Sequence, residues 1–481
     1  MYKVVIGLEV HCELNTNSKN FSAARNTFSD KPNENVSPID LGLPGTLPAT
    51  NEEAVHKALK TALALNCTTP DEVIFDRKNY FYPDLPKGYQ VTQMTKPMGR
   101  NGHLMIRVND EIKRIDIHQL HLEEDTASLE HFPKFSLLDY NRSGIPLIEI
   151  VTEPCLYSAD EAVAFLEDLR SVFLYCGVSE ADSKKGQMRC DVNISLMKEN
   201  DTRLGTKIEM KNINAFNTVR SSIEYEIKRQ SQILDSGGTI IQETRRYSDE
   251  DNKTYAMRQK ADAIDYKYYI DPNFPPIKLT NEYINEIKKE IPILQYERIE
   301  KYTNEYGLSL YDATILVKDK EISDYYDEVI KEGIDPKSGA NWVITVVLGS
   351  LNKLEIDLKD FFITSKMLSE VAKLVDNNEL SQNHAKKILY QAMDEKKDPL
   401  IIISEQNLKL IDNKEEIRVF VVEAIKENND ILLQYLEGKD YVANFFVGQV
   451  MKKTNRQAAP NITLEIVKEE LTKRRNKNES K

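Results

Sequence analysis

Val4-Val5-Ile6-Gly7-Leu8-Glu9-Val10-His11-Cys12-Glu13-Leu14 decides the fold class. Leu8, Val10, Cys12 and Leu14 fall on one side and Glu9, His11 and Glu13 on the other, the period-two pattern of a strand. A strand with one apolar and one charged face belongs to an antiparallel sheet packed on a single side. The same alternation returns in 188–196, where Arg189, Asp191, Asn193 and Ser195 oppose Met188, Cys190, Val192, Ile194 and Leu196. In 206–211, Lys207, Glu209 and Lys211 oppose Ile208 and Met210.

Helices intervene. Ser158 with Glu161 three residues on makes a capping box, and Val163, Leu166, Leu169, Val172 and Phe173 form a helical stripe ending at Gly177. A second stripe, Val219, Ile223 and Ile227, predicts a helix over 218–234, stopped by Gly237-Gly238. Asp271-Pro272 and Pro275-Pro276 then punctuate the chain. After about residue 280 Pro and Gly thin out and helical spacing replaces strand alternation, with a buried helix expected over 339–351 around Trp342. The expectation is α+β: a sheet-containing domain over 1–292, an all-α helical domain over 293–405 and a small all-α tail domain over 406–481.

Length agrees, since 481 residues suit about three domains. With 41% hydrophobic and 29% charged residues the chain holds enough apolar material for several cores, which excludes global disorder. No apolar run reaches the roughly 18–20 residues of a membrane span, and the N-terminus enters a strand pattern without a signal-peptide core, so a cytoplasmic protein is expected. The five cysteines (12, 67, 155, 176, 190) lack Cys-x-x-Cys spacing and read as small buried hydrophobes in a reducing compartment. Net charge is −13, yet residues 452–481 carry nine Lys/Arg against four Glu. Phosphate attraction is local, so such an end can bind an RNA backbone on an acidic body; the alternative is a solvated terminus.

Neither a P-loop, a Gly-x-Gly-x-x-Gly, a kinase signature nor a Gly-x-Ser-x-Gly elbow is present. Chemistry must come from other constellations. Glu9 and His11 share a strand face, and His121-Leu122-Glu123-Glu124-Asp125 adds three carboxylates. Brought together, such groups suit a divalent cation holding phosphate oxygens, with His11 better placed as an outer-sphere partner of Mg²⁺; the alternative is a charged strand edge and an acidic turn. The 76–90 loop sets Tyr80, Phe81, Tyr82 and Tyr89 beside Arg77, Lys78 and Lys87, which suits a base, a sugar-phosphate or a single-stranded end, or else pins the loop to its core. Glu149 lies in an apolar strand and needs a partner, with Arg142, Arg189 and Lys207 as candidates for an ion pair; the alternative is a polar conduit or a substrate contact. Arg245-Arg246 reads as a phosphate clamp or as a salt-bridged surface.

Together these segments resemble the B subunits of the bacterial aspartyl/glutamyl-tRNA amidotransferases. The resemblance is carried by Ile6 to His11, Gly42-Leu-Pro-Gly-Thr-Leu-Pro48, Phe75 to Gln90, His121 to Asp125, Leu138 to Pro154, Met188 to Leu196, Lys207 to Arg220, Gln242 to Tyr247 and Val447 to Lys453. It runs essentially end to end. It implies an ATP-dependent carbon–nitrogen ligase with glutamine as amido donor. The side-chain carboxylate of mischarged Glu-tRNA(Gln) or Asp-tRNA(Asn) is phosphorylated, and channelled ammonia displaces the phosphate. The implied partners are the mischarged tRNA and, in a heterotrimer, the amidase (A) and small (C) subunits. The implied cofactors are ATP and Mg²⁺, acting in an N-terminal cradle domain, with the helical and tail domains contacting tRNA. Carried onto this chain, the resemblance makes Glu9, His11 and Glu124 the catalytic, metal-holding residues. Arg77, Lys78, Tyr80, Tyr82, Lys87, Arg189, Lys207, Arg245 and Arg246 are expected toward the nucleotide.

Two departures are visible. Many members carry paired cysteines for zinc where this chain has Ser22, Ala24, Ser37 and Asp40, so no zinc is expected and another brace must hold that loop. The family's Tyr-Phe-Pro-Glu-Pro run is replaced by Tyr268-Tyr269-Ile270-Asp271-Pro272. The archaeal paralogue carries a large insertion for which this chain has no spare length. A non-catalytic tRNA-docking scaffold is the alternative function, and convergence of the carboxylates discriminates against it.

Overall fold

The structure is a computed structural model. It describes residues 2–109, 111–198, 201, 203–213, 215–259, 265–406, 413–436, 438–454 and 457–479. Arg456 and Lys481 of the basic end lie outside the described residues, as does the Lys477 side chain.

The first compact unit, Met1–Glu297, is built on an eight-stranded sheet. Its strands are β1 (Tyr2–Glu13), β2 (Gly99–Val108), β3 (Glu111–Glu124), β4 (Pro146–Thr152), β5 (Met188–Lys198), β6 (Ile208–Ile213), β7 (Glu243–Ser248) and β8 (Lys253–Gln259). They lie in the order β8-β7-β6-β5-β1-β4-β3-β2, with β1 central between β5 and β4. The pairs β1–β5 and β5–β6 are antiparallel, as the strand patterns predicted, and so are the others except β6–β7, which makes the sheet mixed. Helix α3 (Phe216–Asp235) is the crossover that a parallel pair requires.

One sheet face is closed by α1 (Glu52–Ala64), α2 (Ala159–Cys176) and α3. Their apolar stripes, with Leu59, Leu166, Phe173 and Ile223 fully buried, meet Ile6, Leu8, Val10 and Cys12 of β1 in one core. The predicted ends of α2 are present: the Ser158 hydroxyl accepts from the Glu161 N–H, and the Glu161 carboxylate accepts from the Tyr157 N–H. Gly177 closes the helix at φ 66°, a conformation that favours glycine.

The long loop between β1 and α1 is braced by a buried ion pair. Lys19 Nζ lies 3.1 Å from Asp40, both side chains nearly inaccessible, and also donates to the Tyr140 carbonyl. Asp40 accepts in addition from the Ser37 N–H at 2.8 Å. At the other departure from the family pattern, Asp271 is buried and takes Arg77 in a two-point ion pair, at 2.7 and 3.2 Å.

The second unit, Arg298–Lys481, is built of helices and holds two apolar cores. One surrounds Trp342, Tyr302 and Tyr326; the other joins Ile417, Phe446, Val450 and Ile466. The buried run around Trp342 is helical as expected, but its centre, Val343–Leu348, is π-helix rather than α. Among the described residues no helix is long and apolar enough to cross a membrane.

Candidate functional site

Helices bury one face of the sheet, so the other collects what alternation excludes from the core. Along β1 that face presents Glu9, His11 and Glu13, and each heads its own cluster.

At Glu9 the cluster is carboxylate only. Glu9, Asp191 of β5 and Glu209 of β6 bring one oxygen each within 4.8 Å of one another. Strand register causes this: Glu9 is the cross-strand partner of Asp191, and Asn193 that of Glu209. Asn193 Nδ2 donates to Glu9 at 2.8 Å, and Lys211 Nζ bridges Asp191 at 2.9 Å and Glu209 at 2.8 Å. Burial works against the Lys211 ammonium, but those two carboxylates overcome it and raise its pKa.

At His11 the register sets three side chains in a row across β1, β4 and β3: His11 opposite Glu149, and Glu149 opposite His121. Glu149 lies 2.9 Å from His121 Nε2 and 3.5 Å from His11 Nε2, and Glu123 lies 3.9 Å from His11. Burial would depress the His121 imidazole, yet Glu149 and Glu123 hold its pKa at about 10. Burial likewise opposes a charged Glu149, but His121 and His11 keep it well below the ordinary carboxylate range. The partners expected for Glu149 were Arg142, Arg189 or Lys207, and the structure corrects this to the two histidines. Arg142 instead donates to the Thr126 and Ala127 carbonyls, Arg189 pairs with Asp125 at 2.6 Å, and Lys207 is exposed ahead of β6.

At Glu13 the neighbours are Asp125, Arg189 and Arg142. Burial first, then Asp125, pushes the Glu13 carboxyl up to about 7 against the opposing pull of the two arginines. This end of β1 opens into a cavity of about 700 Å³.

The expected trio of Glu9, His11 and Glu124 is not brought together. Among the described residues, Glu9 and His11 head separate groups, and the acid beside His11 is Glu123. Alternation explains it: His121 and Glu123 leave β3 on one face, Glu124 on the other. There Glu124 is buried, takes the Lys87 ammonium on both oxygens and accepts from the Val91 N–H at 2.9 Å.

The other expected positions divide by their contacts. Lys78 Nζ sits over the Tyr266 and Tyr80 rings at 5.1 and 5.9 Å. Burial opposes its charge, but Glu123 and Glu149 raise its pKa, so it faces the His11 cluster. Tyr80 is half-buried, and its hydroxyl pKa is raised by burial and then by Asp84 and Glu123. Tyr82 is exposed and lies 3.4 Å from His131. Arg77 stacks over Tyr89 at 4.0 Å while held by Asp271, so it braces its loop. The two arginines expected as a clamp or a salt-bridged surface do not face one way. Arg245 and Arg246 are consecutive in β7 and leave on opposite faces. Arg245 is buried between Glu226, Glu243 and Thr254, and Arg246 is exposed.

A sheet with helices on one face and buried carboxylates and imidazoles gathered on the other, followed by a helical region, is the build of a site-bearing α+β domain with helical appendages. Comparison with known families agrees: the GatB/GatE catalytic domain matches residues 4–285, and the GatB domain matches 324–471. The chain is 43% identical over 469 residues to the B subunit of the aspartyl/glutamyl-tRNA(Asn/Gln) amidotransferase of Persephonella marina, covering 97% of this chain and 99% of that protein. The protein of the same name from Oceanobacillus iheyensis is 44% identical over 474 residues, 98% of this chain and 100% of that protein. The one from Macrococcus caseolyticus is 43% identical over 473 residues, 98% of this chain and 100% of its own length. The chain belongs to the GatB/GatE family, as its motifs implied.

Proposed function

We propose that this chain is the B subunit of a glutamine-dependent tRNA amidotransferase of the cytoplasm, a heterotrimer completed by the amidase (A) and small (C) subunits. It activates the side-chain carboxylate of mischarged Glu-tRNA(Gln) or Asp-tRNA(Asn) with ATP and delivers ammonia to the activated carboxyl. A free carboxylate is a poor acyl donor, and phosphorylation supplies the leaving group that ammonia displaces. The name and coverage of the relatives support the reaction, and one observation carries its location in this polypeptide: the two adjacent clusters headed by Glu9 and His11 on the sheet face turned away from the helices.

The two clusters suit different tasks. Glu9, Asp191 and Glu209 form an all-oxygen set, the donor chemistry a hard divalent cation prefers. They fit Mg²⁺, which when bound would neutralise charge on transferring phosphoryl oxygens. Lys211, already shared between Asp191 and Glu209, compensates the same carboxylates and is placed to meet phosphate. The His11 cluster suits proton handling. Glu149 and Glu123 hold the His121 imidazole charged and shift His11 toward its charged form, so the two rings are suited to donate hydrogen bonds to an anionic substrate group, and Lys78 adds a cation above them. The Glu124–Lys87 pair lies on the opposite side of β3, so we assign Glu124 to holding Lys87 rather than to the metal. The helical and tail domains take the tRNA body, with the basic C-terminal end toward phosphate.

The test uses the co-expressed heterotrimer with mischarged Glu-tRNA, Mg²⁺ and labelled ATP. Glu149→Gln and Glu209→Gln are each expected to lower ATP cleavage by about 100-fold or more, the scale of losing one preorganised electrostatic group. Binding of tRNA by gel shift should persist. Unchanged cleavage and amidation in both variants would leave the clusters structural and favour a tRNA-docking scaffold.

A further inference from the structure

The cavity at the end of β1 is not used by either cluster. It encloses about 700 Å³, a volume that suits a nucleoside. Its wall is mostly amide and hydroxyl side chains, able to give and accept hydrogen bonds with a base edge or a ribose. Among the described residues the Asn17 side-chain amide and the Ser128 hydroxyl, both exposed on that wall, make no hydrogen bond to the protein. Phe28 lines the same cavity with its side chain 84% exposed, a ring offered to solvent with no packing reason.

Charge narrows the ligand. The wall carries the carboxylates of Glu13, Asp139 and Glu180, and its Arg142 is already spent on two backbone carbonyls and Asp125. A triphosphate entering there would meet more negative than available positive charge. A neutral nucleoside with a single phosphodiester would not, and Lys185 at the wall, 54% exposed and loosely paired with Glu180 at 3.6 Å and Asp182 at 3.9 Å, is the cation that would exchange a carboxylate for that one phosphate. Position narrows it further. Glu13 lines the cavity and His11 stands two residues along the same strand face, about 6.5–7 Å away. A glutamyl or aspartyl arm esterified to a ribose spans a comparable distance from the sugar to its side-chain carboxylate.

We infer that this cavity is the subsite for the terminal adenosine of the mischarged tRNA, with its base against Phe28 and its aminoacyl arm reaching the His11 cluster. The inference rests on the function proposed above and names where that function's larger substrate enters.

The heterotrimer, assayed for amidation of Glu-tRNA, separates the sources of adenosine through two KM values. Phe28→Ala removes the stacking surface and should raise KM for mischarged tRNA about tenfold, leaving KM for ATP unchanged. Asn17→Trp, which fills the cavity from an exposed position, should raise it at least as far. Both positions are exposed, so thermal midpoints should match wild type. A rise in KM for ATP alone would give the cavity to the nucleotide and overturn the assignment. Two unmoved KM values would overturn it too, while wild-type amidation in that same assay would leave the functional reading standing. A wild-type heterotrimer that never cleaves ATP in the presence of Glu-tRNA would bring down both.

Discussion

His121 is the residue whose chemistry departs furthest from its ordinary state. It is buried, yet Glu149 at 2.9 Å and Glu123 at 3.5 Å hold it protonated, with a pKa of about 10 against 6.5 unfolded. The folded state therefore binds a proton that the unfolded state releases at lower pH. Its contribution to stability is complete below about pH 6.5 and is lost as pH rises toward 10. Glu149 supplies the other side of the same pair: its depressed pKa contributes above about pH 4.5 and is lost on acidification. The thermal midpoint of the protein should thus fall between pH 6.5 and 10, by the equivalent of a few kcal/mol. His121→Asn should lower the midpoint at pH 6.5 and flatten the alkaline decline. Differential scanning calorimetry at stepped pH reads both, and an equally steep decline in the variant would remove His121 as its source.

The loop from Asn15 to Thr50 belongs to the scale of elements, since no long helix or strand holds it. Its brace, Lys19–Asp40, is a buried ion pair, and such pairs punish the loss of one partner more than the loss of both. Lys19→Met should cost about 3–5 kcal/mol by leaving Asp40 charged and buried, while Lys19→Met with Asp40→Leu should recover most of that loss in urea unfolding. Equal costs would mean that the loop is held by its hydrogen bonds instead. No short-range pattern announces this pair, because Lys19 and Asp40 meet only once the loop has closed. The strands and helices were legible for the opposite reason. Alternation in Val4–Leu14 and the Ser158–Gly177 signals are local, and β1 and α2 follow them closely. What local pattern could not supply was register. Glu9, Asp191 and Glu209 were each on a visibly charged face, but only the β1–β5–β6 pairing makes them one group. Glu123 and Glu124 are the reverse case: alternation from His121 already put Glu123, and not Glu124, on the face of the imidazole. The same rule separates Arg245 from Arg246, since two neighbours in a strand cannot clamp one phosphate.

Across the whole molecule, charge is divided between an acidic body and a basic C-terminal end, and ion pairing sets how much of that end remains available. Lys453 is held by Glu427 and Glu423, Lys473 by Glu470, and Arg475 by Asp440 and the Tyr435 carbonyl. Lys452, Lys468 and Arg474 enter no ion pair among the described residues, and Lys452 and Lys468 are exposed. A count of basic residues therefore overstates the cations that phosphates would meet, since a paired lysine must first give up its carboxylate. Each phosphate neutralised releases condensed counterions and adds close to one unit to the salt dependence of binding. If the tail contacts the tRNA body through Lys452, Lys468 and Arg474, removing residues 407–481 from the heterotrimer should reduce the slope of log affinity against log salt by about 2–3 units, far below a slope for all fourteen Lys and Arg of that segment. The tail has its own apolar core around Phe446 and Ile466, so the cut passes between cores. Fluorescence titration of labelled tRNA at about 50–200 mM salt measures the slope. An unchanged slope would make the basic end a solvated terminus, and a loss of about 5–6 units would mean that tRNA also displaces the carboxylates now paired with Lys453, Lys473 and Arg475.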